Sequence, residues 1–191
     1  MKKSTKPTQA PRFVHFDDFG DILENESDRG CILIANHVLD VALEHMLRSE
    51  FSKRQAVLTK AINPLFEPTR PLSSFSAKIQ LAHSLRLLDD WAFADLNRIR
   101  QLRNKLAHSF GAVSFSQPSV EALVHQLHST PIGLGYPRRR WSLAKSKQHV
   151  VTLSQQWNKS PGWIFFNTGF HFLHGYLTKG KAYRGTVRTT S

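Results

Sequence analysis

A single cysteine, Cys31, occurs in 191 residues, which excludes an intramolecular disulfide. The opening segment MKKSTKPTQAPR lacks the apolar stretch of a secretory leader, so a cytoplasmic protein is expected. Uninterrupted apolar runs of the ~20 residues that cross a bilayer are missing too. Gly, His and Asn break even the aromatic stretch from Trp163 to Leu177, and no transmembrane segment is expected. Acid is scarce in one half: residues 96–191 carry 14 Lys+Arg and one acid, Glu121, a net +13, whereas residues 1–95 carry 12 Lys+Arg and 13 Asp+Glu, a net −1. The second half therefore supplies the whole excess of the +12 chain. Such a field attracts polyanions, whether nucleic acid, membrane surface or acidic protein, without choosing among them.

What is present is a core. Hydrophobic residues make up 40% and aromatics 10%, enough to exclude a wholly disordered or low-complexity chain. Residues 1–12 read as a flexible arm, residues 13–157 as a helical domain and residues 158–191 as an aromatic and basic extension. Ser27-Asp28-Arg29 marks a helix start, and Ile32, Ala35, Leu39, Ala42, Met46 and Leu47 follow at three- and four-residue steps as far as Phe51. Asn63-Pro64, Pro68 and Pro71 make 62–73 a loop. Further helices are expected over 74–88, 91–109, from Pro118 to about 130, and 138–157. With no sustained alternation of period two before residue 160, the fold class is an all-α helical bundle. The C-terminal stripe Trp163, Phe166, Phe170, Leu173 and Leu177 has helical spacing, yet Asn167-Thr168-Gly169 between its two aromatic runs would equally serve a hairpin. Those aromatics suit a core, an oligomer contact, base stacking or a membrane interface.

The sharpest polar constellation is Arg103-Asn104-Lys105-Leu106-Ala107-His108. Arg100, Asn104 and His108 share one helix face, whereas Arg103 falls in the apolar stripe of Leu96, Ile99, Leu102 and Leu106. An arginine there needs a carboxylate or carbonyl partner, and Asp40 and Glu44 on the first long helix are the candidates. Two roles compete. In one, Arg103 is locked by an internal pair while Asn104 and His108 cap the helix end. In the other, His108 acts as general acid or base on a ribose hydroxyl, Arg103 stabilises phosphorane charge and Asn104 orients them. The pairs His125/His128 and His171/His174 have ligand-like spacing but neither a Cys nor a carboxylate beside them, so no metal and no cofactor is expected. Lys78 is either a phosphate contact or a stem covering the bundle. Polyanion binding, if the basic half supports it, is assigned to Arg138, Arg139, Arg140, Lys179, Lys181, Arg184 and Arg188.

Three stretches together resemble the MltR family of mannitol operon repressors: Asp28-Arg29-Gly30 through Leu39-Asp40 to Leu47; Pro71-Leu72-Ser73-Ser74-Phe75-Ser76-Ala77-Lys78-Ile79; and Leu96-Asn97-Arg98-Ile99-Arg100 through Arg103-Asn104 to Ala107-His108. The resemblance runs from about Phe13 to residue 130, more loosely to 157, and does not reach 158–191. It implies a small all-helical protein similar to the wider HEPN superfamily, whose ribonucleases carry Arg-x4–6-His on the third helix and often dimerise around it. It also implies a transcriptional regulator of sugar-alcohol genes that lacks a DNA-reading helix-turn-helix and works through protein partners. Several apolar helix faces and an exposed aromatic C-terminal segment lead a homo-oligomer to be expected. The alternative is a metal-independent endoribonuclease using Arg103 and His108. The stripe position of Arg103 favours the locked state, hence the regulator.

Overall fold

The computed structural model describes residues 22–54, 59–107, 111, 113–134 and 143–179. Its helices are α1 (Asp28–Arg54), α2 (Thr59–Ile62), α3 (Phe75–Ser84), α4 (Asp90–Ala107), α5 (Pro118–Val124), α6 (Ser129–Gly133), α7 (Leu143–Trp157) and α8 (Pro161–Lys179). No strand occurs among the described residues, as the periodicity requires.

Local chemistry sets the helix ends. The Ser27 hydroxyl accepts from Gly30 N–H at 3.1 Å, and Ser74 does the same for Ala77 at 3.2 Å, each satisfying a donor that has no intrahelical partner. A distant side chain finishes α4: Arg29 Nη2 donates to the Leu106 carbonyl at 3.2 Å, a cation on the negative end of the helix. Asp28 ties the start of α1 to the chain before α5, its Oδ2 accepting from Phe115 N–H at 2.8 Å and Ser114 Oγ at 3.0 Å. The 62–73 stretch is less bare than expected, since a 3-10 turn, Asn63–Phe66, starts it with Pro64 in the position where a missing N–H costs nothing.

The segment that sequence left open between helix and hairpin is one continuous helix, α8, and it is the most buried of all. From Gly162 to Leu177 only Thr168 and His171 are half-exposed, so this helix is apolar on every side and lies inside the body, against α1, α5, α6 and α7. Trp163, Phe165, Phe166, Phe170, Phe172 and Tyr176 are all core residues, which removes the exposed aromatic patch expected as an oligomer or base-stacking surface. Part of the region beyond 158, read as an extension, thus packs into the helical domain. Phe115 lies 5.0 Å from Phe166, and Trp91 sits between Phe172 and Tyr176, at 5.9 and 4.8 Å. The Tyr176 hydroxyl accepts from Asp89 N–H at 3.1 Å, so its polar tip is satisfied where α4 begins.

Small residues make that packing close. A Cβ on Gly162 would stand 2.7 Å from Phe115 Cβ, and one on Gly169 would stand 2.5 Å from Thr130 Oγ1. The buried Thr130 hydroxyl donates to the Phe165 carbonyl at 2.7 Å, joining α6 to α8. Helix α1 is long and apolar enough to cross a membrane, but its apolar side is the bundle core and its other sides carry Asp40, Glu44 and Arg48.

Candidate functional site

Three polar clusters sit on this frame. At the first, Lys78 of α3 is 3% exposed and places its ammonium 2.8 Å from Glu44 Oε2 and 2.9 Å from Asp40 Oδ1. Arg48 grips the other Glu44 oxygen through Nε and Nη2 at 2.9 and 2.8 Å, donates to Asn63 Oδ1 at 2.6 Å and lies 4.2 Å over the Phe66 ring. Burial alone would raise the Glu44 carboxyl. The hydrogen bonds from Lys78 and Arg48 outweigh it and hold the group below its ordinary value. Two cations and two carboxylates neutralise one another here, so the cluster locks α3 onto α1 and leaves no charge over for a phosphate.

This is a correction for Arg103. Asp40 and Glu44 do serve a buried cation, but the cation is Lys78. Arg103 is exposed, and its Nη1 makes a long contact of 3.5 Å with its neighbour Asn104. The buried residues of α4 are Trp91, Ala92, Asp95, Leu96, Ile99, Leu102 and Leu106, a stripe centred such that position 103 lies on its flank. Arg103 and Asn104 therefore share the C-terminal end of α4, while His108 lies outside the described residues. Nearby on α1 and α4, Asn36 Nδ2 and Arg100 Nε are buried atoms without a hydrogen-bond partner among the described residues.

The second cluster centres on Asp95, which sequence reasoning did not single out. Its side chain is fully buried. Oδ1 accepts from His128 N–H at 2.9 Å and from Arg98 Nη1 at 3.1 Å, and Oδ2 accepts from Ser129 N–H at 2.7 Å. His128 Nδ1 lies 3.1 Å from the same Oδ1 and 3.2 Å from Arg98 Nη1. An acid from α4 thus caps α6 from outside, fixing where the two helices meet. The signal was in the sequence: Asp95 stands four residues from both Trp91 and Ile99, inside the apolar stripe.

The third is the pair of histidines on α8. Burial pushes the His171 imidazole down to about 4, assisted by His174, and burial with Lys179 nearby lowers His174. Both are held neutral, His174 buried in the core and His171 half-buried at its edge. Among the described residues no group of three or more His, Cys, Asp or Glu could hold a metal. Cys31 is buried, donates to the Leu23 carbonyl at 3.3 Å and has its thiol pushed up to about 11 by burial, which makes it a packing residue. Of the basic residues assigned to polyanions, Lys179 is exposed at the end of α8, and Arg138, Arg139, Arg140, Lys181, Arg184 and Arg188 lie outside the described residues.

Fold and clusters together define an all-helical domain whose buried polar groups are spent on holding helices in register. The family is shown by the chain itself: the model of the mannitol repressor family, MtlR, matches residues 19–159, and the protein belongs to that family, the one resembled by its three motifs. Its fold is similar to that in the X-ray structure of the MtlR-HPr complex from Escherichia coli, with a TM-score of 0.61 at 17% identity, covering 83% of this chain and 97% of that one. No curated protein matches it.

Proposed function

We propose that this protein is a regulator of sugar-alcohol gene expression that acts by binding a protein partner, and that its partner is an HPr. The observation that carries this reading is the family match over residues 19–159, supported by a fold shared along nearly the whole length of a chain solved in complex with HPr. The resemblance supplies no DNA-reading element, so control through a bound protein is the economical mechanism. Exposed Leu33 and Val41, at i and i+8 on α1, support self-association of the domain, and the net +12 supports contact with an acidic surface or with nucleic acid through the C-terminal half. The protein works in the cytoplasm under this reading. Titrating the full chain with HPr from the same organism in a calorimeter tests it: saturable binding is expected, and its absence at high protein concentration rejects the partner.

One observation favours the second reading, a metal-independent endoribonuclease. Arg103 is exposed beside Asn104, so the internal lock that argued against catalysis is gone. Incubating the full chain with mixed RNA in EDTA decides the matter. Cleavage lost in both Arg103→Ala and His108→Ala would replace the regulator with a nuclease, and intact RNA would retire that alternative.

A further inference from the structure

Where α4, α5 and α6 meet, a cavity of about 280 Å³ opens beside the Asp95 cluster. Its polar lining is Arg98, His125, Gln126 and His128, and its apolar wall is Leu127, Pro131 and Ile132. No acid lines it. The nearest carboxylates are engaged elsewhere: Asp95 is fully buried behind the lining and accepts from Arg98 and two backbone N–H groups, and Glu121 stands 3.8 Å from His125 Nδ1 on the outer side of α5. We propose that this cavity binds a small organic anion, an oxyanion head on a compact apolar body, with Arg98 and His128 holding the head and Leu127, Pro131 and Ile132 covering the body.

The geometry supports the assignment in two ways. Asp95 holds Arg98 in place before any ligand arrives, binding its Nη1 at 3.1 Å, and that Nη1 lies 3.2 Å from His128 Nδ1, so little rotamer freedom remains to be lost on binding. The same contacts leave the outer edges of these groups unused. Arg98 Nη2 and His128 Nε2 have no hydrogen-bond partner among the described residues, while Arg98 Nε reaches Gln126 Oε1 at 3.5 Å; in the tautomer whose Nδ1 accepts from Arg98 Nη1, His128 Nε2–H is a donor beside the free Nη2, and two such N–H groups recognise carboxylate or phosphate oxygens. A cavity near the lower end of the range for ligand sites admits a compact molecule and excludes a large cofactor. The buried wall gives a reason for an organic ligand to bind better than an inorganic ion.

The test follows histidine side-chain NMR resonances of the full chain during titration with phenyl phosphate, benzoate, inorganic phosphate and, as the neutral control, phenol. Phenyl phosphate or benzoate should shift His125 and His128 saturably, whichever binds more tightly naming the head group. Inorganic phosphate should bind more weakly and phenol not at all. Gln126 is exposed on the rim, so its variants leave the core alone: Gln126→Glu should weaken the anion at least about fivefold and Gln126→Lys should not, and Arg98→Gln should weaken it similarly. No saturable shift with either organic anion, equal binding of phenol, or affinities unchanged in Gln126→Glu would each overturn the proposal.

Discussion

Replacing Asp95 by Asn is the most demanding perturbation this fold offers, because it changes two atoms' chemistry with almost no change of volume. The carboxylate accepts from two backbone N–H groups and one guanidinium, at 2.7 to 3.1 Å, with no exposure to water. An amide has one oxygen. Its NH2 must face either Ser129 N–H or the Arg98 and His128 side, a donor against a donor, and Arg98 loses its only counter-charge among the described residues. Breaking a buried pair by removing one partner costs roughly 3–5 kcal/mol. Against a total of roughly 5–15 kcal/mol for a domain, that is about a fifth of the stability or more. For a chain of this size each kcal/mol moves the melting temperature by roughly 2–4 °C, so Asp95→Asn should melt on the order of 10 °C below the parent. Urea unfolding followed by circular dichroism at 222 nm provides the free energy. Arg98→Gln, which removes the contacts of a partly exposed side chain to Asp95, Gln126 and His128 but leaves Asp95 its two backbone donors, should cost about 1–2 kcal/mol, and the double variant should cost less than the sum because the two residues touch. An Asp95→Asn protein within about 0.5 kcal/mol of the parent, the scatter of ordinary surface substitutions, would refute the account of α6 being capped from α4.

The remaining predictions concern the other clusters. Lys78→Met should cost about 2–4 kcal/mol in urea by stranding Asp40 and Glu44, and Asp40→Asn added to it should recover part of the loss; additivity of the two would show that the pair is not coupled. Arg103→Ala should leave the urea midpoint within about 0.5 kcal/mol of the parent, as for an exposed residue, and a larger loss would return Arg103 to the core. Gly162→Leu should prevent α8 from meeting Phe115 and yield little soluble protein, whereas Gly111→Ala, which meets nothing within 4 Å, should be well tolerated. Acid should destabilise the fold through α8. His171 takes up its proton near 6.5 when unfolded and not until about 4 when folded, so between those values the unfolded chain holds more protons and stability falls as pH falls. The loss by pH 4 is on the order of 3 kcal/mol, and urea midpoints at pH 7 and 4.5 should show it, with a flatter dependence in His171→Phe.

Most of the helices were legible because their stripes run for three turns or more and their ends carry side chains with a single physical use. Ser27 and Ser74 cap, Pro118 opens a helix, and the buried sides of α1 and α3 are the ones periodicity selects. The candidate site was read less well, for a reason of angle. Steps of three and four from Leu96 and Ile99 reach both Leu102 and Arg103, and residues one apart are separated by about 100° on a helix, so a short stripe cannot say which of two adjacent positions lies at its centre. Including Trp91 and Asp95 in the stripe moves the centre toward Leu102 and Leu106 and puts Arg103 on the flank. That step requires accepting a buried acid, which composition argues against until its partners are known.

The same reasoning explains why α8 stayed open between helix and hairpin. Asn167 and Gly169 are turn residues by propensity, yet each has a packing use inside a helix: Asn167 Nδ2 donates to the Trp163 carbonyl at 3.1 Å, and Gly169 leaves room for the Ser129 and Thr130 hydroxyls of α6. A helix buried on all sides cannot show a polar face, so periodicity is silent where the burial is greatest. Long-range partners decide such a segment, and here they are the short helix α6 and, through Asp95, the site beside it. The residues that make α8 illegible are therefore the ones that hold α6 against it. Because Asp95 anchors α6 from the other side, the cavity walls of Pro131 and Ile132 are set by two independent contacts, which is why the cavity should persist without a ligand to shape it.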